Sequence, residues 1–379
     1  MLTKETLLQT TPDISSWKNV LEKPTGNVLG TSLLEWQKET RTALELEIDT
    51  NIIIAGHQPI FFHPGILAKF VAASMVAQQC NAKLVHLVVD HHVGDVGIIE
   101  IPKLQNGLLQ IETMRFANCD DAIPLCDQKP LEITTNDSRF VNALNNGEQN
   151  AAMQIAAATD TLMSPYATVD CKITATSLCK TPLGEAIVDE MFARPDACNT
   201  AYNEAVGAFP DCGISFLKTD ELPVWGNDRN RIHPRALLLT LLARLGVGNL
   251  FVHGTGGEKY DRIMERWCRN WLGVDVCSQA MATATITLPF EIETIESARQ
   301  HYFSGDAQKK HAFLSTIDSL PHRSAARRVA FLEMHRMFAA LESKPNNKAF
   351  MASQKIARKR DWAFPLYDEA VLHTLTRAL

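Results

Sequence analysis

The sequence predicts an α/β fold, with a Rossmann-like parallel sheet, helices on both faces of it and a mostly helical C-terminal part. Residues 51–55 form a β-branched apolar run typical of a buried strand, and residues 66–79 follow with apolar residues at helical spacing. Residues 83–89 form a second apolar run, which completes a βαβ unit with a right-handed crossover. The order of strand, loop and helix recurs at residues 249–271, with a buried strand at residues 249–252, and we expect the two loops, with His57 and His253, to close on one cleft at the same edge of the sheet.

We expect residues 1–290 to form the α/β core, with an insertion at roughly 96–215, and residues 291–379 to form a helical C-terminal region. Within the insertion, Asn106-Gly107 separates two apolar runs, which predicts a β-hairpin. The aromatic side chains of Trp362, Phe364 and Tyr367 predict that the tail docks back onto the body of the protein.

Composition narrows the class of protein. The 379 residues are 46% hydrophobic and 21% charged, as in ordinary globular chains. The net charge of −6 argues against a nucleic-acid-binding surface. The sequence has no apolar run long enough for a membrane span and no apolar signal core at its start, so we expect a cytoplasmic protein. Nine scattered cysteines without a C-x-x-C pair indicate neither a zinc ribbon nor a disulfide framework.

The loop between the first predicted strand and its helix carries four candidate site residues. Gly56 would allow close approach of the backbone to a ligand. His57 and His63 could act as an acid, a base or oxyanion donors near neutral pH, and Gln58 lies between them as a candidate binding residue. The alternative is that both histidines pack locally and hydrogen-bond the turn.

The second predicted strand ends in Asp90 and His91. In a parallel sheet this end lies beside the end of the first strand, so both residues are expected to face the same crevice as His57. They could bind a divalent metal, or they could hydrogen-bond an amine or hydroxyl of a substrate. A solvated turn is the third interpretation, because Asp and His suit turns.

The second strand–loop–helix contains the glycine-rich segment HGTGG. Its glycines would let the backbone approach a ligand, and the following helix offers free amides to a carboxylate or phosphate. HGTGG is neither a Walker loop nor a dinucleotide fingerprint, so no motif supports ATP hydrolysis or dinucleotide binding. A helix is predicted to begin at Pro234, and Arg235 in its first turn contributes a positive charge. The candidate residues of this anion site are Arg235, His253, Gly254, Gly256, Gly257, Lys259 and Tyr260.

These blocks and their order, about half of the chain, resemble the bacillithiol-synthesising cysteine-adding enzymes and their shorter relatives. The resemblance rests on Gly56-His57-Gln58 with Pro64-Gly65, on Asp90-His91-His92, and on the stretch from Pro234-Arg235 to Tyr260. It implies a nucleotidyltransferase-type Rossmann core and an enzyme that joins a thiol-bearing amino acid to an amine-sugar conjugate. This chain is shorter than that family, lacks the heptads of its coiled-coil arm, and has His57 where the family has Gln.

The leading hypothesis is an enzyme that condenses or transfers a small amino or thiol compound onto a polar anionic substrate. His57 would be the general acid/base and His63 a positioning or oxyanion group, while Asp90 and His91 would hold an amine, a hydroxyl or a metal. One alternative is a nucleotidylyltransferase acting on a small phosphorylated substrate, and another is a non-enzymatic binding or scaffold protein. A divalent metal or a nucleotide is a possible cofactor, and the oligomeric state stays open.

Overall fold

The computed structural model describes residues 7–21, 23–226, 229, 232–292, 307–342 and 345–377. They form two compact units. The larger unit takes in the chain up to Ile99, Arg115–Ile286 and the residues from Asp361 onward, and the smaller takes in Glu100–Met114 and the residues from Thr287 to Arg360. The change of unit between Ile286 and Thr287 lies close to the expected boundary at residue 290, and the tail after Arg360 belongs to the larger unit.

The larger unit is built on a six-stranded sheet. Its strands are β1 (Leu7–Thr11), β2 (Ile52–His57), β3 (Lys83–Val88), β4 (Cys171–Thr174), β5 (Leu250–His253) and β6 (Ser278–Thr285). Their order is β1-β6-β5-β2-β3-β4, with β1 antiparallel to β6 and all other pairs parallel. From β2 the chain builds outward through β3 and β4, and later through β5 and β6 on the other side. The strand order therefore reverses between β2 and β5.

Nine α-helices of the larger unit precede β6 in the described chain. They are α1 (Leu33–Ala43), α2 (Pro64–Gln79), α3 (Ser138–Leu144), α4 (Ala151–Met163), α5 (Ala175–Cys179), α6 (Pro182–Ala193), α7 (Pro195–Gly207), α8 (Ala236–Gly246) and α9 (Gly257–Leu272). Short 3₁₀ helices span Ile14–Val20, Leu125–Asp127 and Pro210–Cys212. Short strand pairs join Asn27–Val28 to Thr31–Ser32, Ala117–Asn118 to Glu132–Ile133, and Val224–Trp225 to His233–Pro234.

Helices cover both faces of the sheet. On one face α2 packs against β2, β3, β5 and β6, and α4 packs against β3. On the other face the alternate residues Ile52 and Ile54 of β2 and Phe251 of β5 join a core with side chains of α6, α8 and α9. Strands buried on both faces need continuous apolar runs, which explains why these runs stood out in the sequence. The predicted fold class is confirmed.

The start predicted at Pro234 for the helix before β5 was wrong. His233–Pro234 pairs with Val224–Trp225 as a short strand, and α8 begins at Ala236. Arg235 is the N-cap residue, with an extended backbone whose N–H donates to the Pro223 carbonyl oxygen at 3.0 Å. That hydrogen bond holds the segment in the strand pair, so helical geometry begins two residues later than Pro234 suggested.

The C-terminal tail docks onto the sheet unit, as predicted. Trp362, Phe364 and Tyr367 are buried, and the Phe364 N–H donates to the Phe62 carbonyl oxygen at 2.7 Å. The Phe62 and Phe364 rings lie 5.5 Å apart. Beyond the 3₁₀ turn Phe364–Leu366, the short helices Glu369–Leu372 and Thr374–Arg377 follow, and the second of them packs against α2. The tail therefore belongs to the core around α2.

We expect Phe364→Leu to lower the free energy of unfolding by about 1–2 kcal/mol, because the smaller side chain leaves part of a tightly packed site unfilled. Urea unfolding measures this loss. The same substitution at Phe216, which is 61% exposed, provides the control and should change stability by less than about 0.5 kcal/mol. Equal effects at the two positions would contradict docking of the tail.

The smaller unit combines a hairpin with helices. Ile98–Gln105 pairs with Leu108–Arg115, and residues 100–114 of this hairpin lie in the smaller unit. Asn106 and Gly107 both have positive φ angles, of 50° and 76°, which the connecting turn requires. In its described residues the helices are α10 (Ala307–Ser319), α11 (Ala325–Glu342) and α12 (Pro345–Ala357), and Ser353 Oγ accepts the Leu109 N–H at 2.8 Å. The predicted hairpin is confirmed.

Among the described residues, no helix is both long enough and apolar enough to cross a membrane.

Candidate functional site

Three adjacent strands bring predicted site residues to one edge of the sheet. β5 and β2 run parallel with Val252 beside Ala55, so His253 and His57 lie at the same ends of neighbouring strands. The β2–β3 ladder continues past His57, whose carbonyl oxygen accepts the Val89 N–H at 3.0 Å. Asp90 follows directly. The carboxyl edge of β5, β2 and β3 therefore carries all three polar side chains, on both sides of the strand-order reversal.

His57 and His253 nevertheless point to opposite faces of the sheet. Side chains alternate along a strand, and His57 follows Ala55 on the face covered by α2, where its ring meets Phe62 at 5.3 Å. His253 follows Phe251 on the other face, where it contacts Asp261 of α9. The expectation that the two imidazoles line a single crevice must be corrected: they share an edge and flank the sheet.

His57 is neutral at neutral pH. Burial, followed by the positive charge of Lys69, lowers the pKa of His57 to about 3. Its Nδ1 atom lies 3.1 Å from the Gln58 carbonyl oxygen. A group with this pKa donates or accepts hydrogen bonds at pH 7 but holds no proton to give as an imidazolium. The electrostatics thus favour a hydrogen-bonding role for His57 over the predicted general acid/base role.

Lys69, which the sequence analysis did not single out, lies beneath this loop. Its side chain is buried, and Nζ donates to the Gly56 carbonyl oxygen at 2.5 Å. Burial lowers the pKa of Lys69 to about 7. Lys69 is the sole charged residue in the sequence of α2, PGILAKFVAASMVAQQ, and that isolation among apolar residues was an available signal. Its pKa places it in the range in which side chains exchange protons at neutral pH.

Lys69→Met should remove a pH dependence of stability. Between pH 7 and about 10, unfolded Lys69 with its ordinary pKa of 10.5 binds a proton that buried Lys69 lacks. The free energy of unfolding of the parent protein, relative to Lys69→Met, should therefore rise with pH by up to about 1.4 kcal/mol per unit. Urea unfolding at pH 7.5 and 8.5 measures both proteins. A difference between them that stays constant with pH would contradict the lowered pKa.

The other residues of the first loop serve the local structure. A Cβ atom on Gly56 would lie 2.9 Å from the Leu87 carbonyl oxygen, so the close β2–β3 contact requires glycine there. His63 is the N-cap of α2, and its Nδ1 accepts the Gly65 N–H at 3.1 Å. This contact of His63 fits the alternative interpretation, in which the histidines hydrogen-bond the turn locally. Gln58 is exposed at the edge.

Asp90 and His91 do not form a solvated turn. Asp90 is 3% exposed, and its Oδ1 accepts the N–H of Thr176, in α5, at 3.0 Å. Burial raises the pKa of Asp90, but the adjacent His91 ring and the hydrogen bond from Thr176 outweigh it, so the pKa is lowered and the carboxylate is ionised at neutral pH. The His91 ring stacks on His233, with centroids 5.1 Å apart.

Two loop residues that sequence reasoning missed lie against this stack. Side-chain donor atoms of Cys126, Asp127 and His233 all lie within 4.8 Å of one another. Burial, followed by the negative charges of Asp90 and Asp127, raises the pKa of the Cys126 thiol to about 11. Burial, followed by the charge of His91, lowers the pKa of His233. Since His233 is remote in sequence, no local pattern pointed to this grouping.

The HGTGG loop is fixed by a buried network. His253 Nε2 lies 2.7 Å from Asp261 Oδ2, which also accepts a hydrogen bond of 2.6 Å from Arg244. A Cβ atom on Gly257 would lie 2.2 Å from His253 Nδ1, so glycine is required for the ring to reach this position. These contacts give His253 a structural role at the base of α9, in addition to any role in binding.

The remaining glycines and Tyr260 frame the start of α9. Gly256 is its N-cap residue, and a Cβ atom there would lie 3.2 Å from the Tyr260 hydroxyl. The Tyr260 side chain therefore folds back toward the first turn of its own helix. Gly254 borders Ile66 at the beginning of α2, where a Cβ atom would make an ordinary contact of 3.5 Å. The side chain of Lys259 lies outside the part of the chain that the structure describes.

Arg235 ion-pairs within the protein. Its Nη2 donates to Glu221 Oε1 at 2.5 Å, and the guanidinium lies 4.3 Å from the centre of the Trp225 ring. To bind an anion as predicted, Arg235 would have to contact the anion and Glu221 together. That role stays a prediction.

A cavity of about 440 Å³ lies at the opposite, amino edge of the sheet. It lies beside the starts of β2 and β3 and the C-terminal part of α2. Its lining includes Glu47, Thr50, Ser74, Lys83 and Asp170. No motif in the sequence pointed to this edge, which is a second place on the sheet where a ligand could bind.

Comparison with known proteins gives distant matches. No protein-family model and no curated protein matches the chain, so the resemblance to bacillithiol-synthesising enzymes stays a prediction. Among solved structures, the chain is similar to tyrosyl-tRNA synthetase complexed with L-tyrosine from Archaeoglobus fulgidus, with 14% identity and a TM-score of 0.28 over 71% of this chain and 63% of that one. It is also similar to tryptophanyl-tRNA synthetase from Plasmodium falciparum, with 9% identity and a TM-score of 0.30 over 91% and 86%.

Proposed function

We propose that the protein is an enzyme that joins a small amino or thiol compound to a polar anionic substrate at the carboxyl edge of its sheet. The observation that carries this proposal is the position of Asp90, His57 and His253 at the ends of three adjacent strands, around the point where strand order reverses. Ligands of open α/β sheets bind in the crevice outside the carboxyl ends of the strands at such a switch point.

Asp90 supplies the site for an amine. Its carboxylate is buried and ionised, and one oxygen is fixed by the Thr176 N–H. A fixed anion at low solvent exposure favours an ammonium group or a hydroxyl donor over a neutral acceptor. His91 lies beside it and would orient the same group.

Proton transfer is assigned to Lys69, and hydrogen bonding at the reacting group to His57. His57, uncharged, would donate or accept a hydrogen bond at the reacting group. Lys69 has the pKa that suits exchange of a proton near pH 7, and its Nζ already contacts the backbone of the loop through Gly56. The anionic group of the substrate would bind at the start of α9, where helix amides and the dipole favour negative charge.

The finer proposal follows from the resemblance: the amino compound is a thiol-bearing amino acid and the acceptor is an amine-sugar conjugate. The test is a thermal-shift screen with cysteine and glucosamine, alone and together, which measures recognition of each compound without presuming a product. Binding at a ligand concentration 100 times Kd stabilises a protein by about 2.7 kcal/mol. Glucose, which lacks the amine, is the matched control. Equal shifts with glucose and glucosamine would contradict recognition through Asp90.

A nucleotidylyltransferase is the second candidate. The parallel strands run in the order β4-β3-β2-β5-β6, which is the arrangement of nucleotide-binding Rossmann sheets. Adding ATP or CTP with Mg²⁺ to the same screen tests this candidate. Stabilisation by a nucleotide alone would favour it, and the absence of a shift with any nucleotide would count against it.

The third candidate is a non-enzymatic binding protein that uses the cavity of about 440 Å³ at the amino edge. In that case, substituting Ser74 or Lys83, which line the cavity, should abolish binding of the screened ligands. Substitutions at the carboxyl edge should leave that binding unchanged.

A further inference from the structure

Three side chains near the end of β3 bring a thiol, a carboxylate and an imidazole close together. We infer that Cys126, Asp127 and His233 bind one divalent ion, and that zinc is the ion they suit. Their sulfur, oxygen and nitrogen atoms lie within 4.8 Å of one another. The inference rests on these residues and does not depend on the proposed function.

The ligand-bearing segments are held in place by backbone hydrogen bonds. The Leu125 N–H donates to the His92 carbonyl oxygen at 3.0 Å, and the Cys126 N–H donates to the Asp90 carbonyl oxygen at 2.9 Å. These bonds fix the 3₁₀ turn that presents Cys126 and Asp127. His233 is fixed separately, by its strand pairing with Trp225. Two separate segments thus hold the donors together, which limits the reorganisation that binding requires.

A neighbouring histidine gives the second, independent observation. The side chain of His91 is only 10% exposed and stacks on His233 with ring planes 13° apart. Its Nδ1 lies 3.9 Å from Asp90 Oδ1, beyond hydrogen-bond distance, and has no hydrogen-bond partner among the described residues. His233 Nδ1 is likewise buried without a partner in the described part of the chain. Buried imidazole nitrogens left unbonded are unusual in folded proteins, and metal coordination would satisfy one of them.

The donor set selects the metal. A thiolate and an imidazole favour zinc and related transition metals, whereas Mg²⁺ and Ca²⁺ prefer oxygen ligands alone. Three protein ligands leave a fourth tetrahedral position for water, a substrate atom or His91. Bonds of about 2.0–2.3 Å at tetrahedral angles place donor atoms about 3.5 Å apart, so the side chains need to close by about 1 Å. The side chain of Asp127 is exposed, so it would not have to leave the core to close on the ion.

The test uses the full chain, stripped with a chelator under reducing conditions and titrated with Co²⁺ and with Zn²⁺. We expect one equivalent of Co²⁺ to give a thiolate-to-cobalt charge-transfer band, and Zn²⁺ to displace it. Cys126→Ser should abolish the band, and His233→Gln should weaken zinc binding by more than about 100-fold, since loss of an outer partner alone costs about 10–100-fold. Circular dichroism checks that the variants fold.

Cys119→Ser is the matched control, because Cys119 lies in the same loop region and bonds Gly94 and Gln128 instead of joining the three ligands. It should bind cobalt and zinc like the parent protein. The inference is overturned if the parent binds no metal, if the bound cobalt shows no thiolate band, or if the band persists in Cys126→Ser.

Discussion

Asp261→Asn is expected to lower the free energy of unfolding by about 3 kcal/mol. Asp261 and Arg244 are each 1% exposed, and Asp261 Oδ2 accepts hydrogen bonds from Arg244 and His253. Removing one partner of a buried ion pair leaves the other charge uncompensated, which typically costs about 3–5 kcal/mol. We expect the low end because Glu265 and the Cys277 carbonyl oxygen still bond Arg244.

Urea unfolding at neutral pH measures this effect. Asp275→Asn is the matched control, since Asp275 pairs with Arg269 at the end of the same helix but is 75% exposed. Exposed pairs contribute about 0–1 kcal/mol, so this substitution should change stability little. A loss of less than about 1 kcal/mol for Asp261→Asn would show that the network does not hold the HGTGG loop in the manner described.

Asp90→Asn is expected to weaken binding of glucosamine by about 100-fold, equivalent to about 2.7 kcal/mol. The substitution keeps an oxygen that can accept the Thr176 N–H at its present 3.0 Å, but it removes the charge that the proposed function assigns to an ammonium group. Loss of one partner of a buried charged pair costs about 2–5 kcal/mol in binding, and the neutral amide keeps part of the hydrogen bond. Isothermal titration calorimetry gives the two dissociation constants.

The same substitution at Asp95 controls for general effects on the loop. Asp95 lies five residues further along and pairs with Arg115 at 2.6 Å, on the surface. Its replacement should leave the affinity for glucosamine within about twofold of the parent value. If Asp90→Asn binds glucosamine as tightly as Asp95→Asn does, Asp90 does not recognise the amine.

The sequence predicted the centre of the sheet and missed its edges. β2, β3 and β5 were expected within two residues of their observed bounds, because strands buried on both faces are continuous apolar runs. β1 and β4, the two edge strands, were not predicted. Their sequences, LLQTT and CKIT, are short and partly polar, as suits strands with one unpaired side. Edge strands form because they pair with the sheet, and a short stretch of sequence does not predict that pairing.

The edge of the sheet at which the candidate residues lie was predicted, but the faces to which their side chains point were not. Strand ends located His57, Asp90 and His253 at one edge, but which face each side chain takes depends on the exact register of the strands. His91 stacks on His233, which is far from it in the sequence, and no pattern of residue spacing predicts such a contact. The sequence does show Lys69 as a lone charged residue in an apolar helix, but its lowered pKa could be derived only from the structure.

Hydrogen–deuterium exchange with cysteine and glucosamine at saturating concentration tests the central claim most directly, because it locates the ligand without presuming a reaction. A ligand at the carboxyl edge should slow the exchange of backbone amides in residues 57–63, 90–92 and 254–260, and leave exchange unchanged in residues 47–50, 78–83 and 168–170 around the amino-edge cavity. Protection confined to the amino-edge segments would contradict binding at the carboxyl edge and place the ligand at the other end of the sheet.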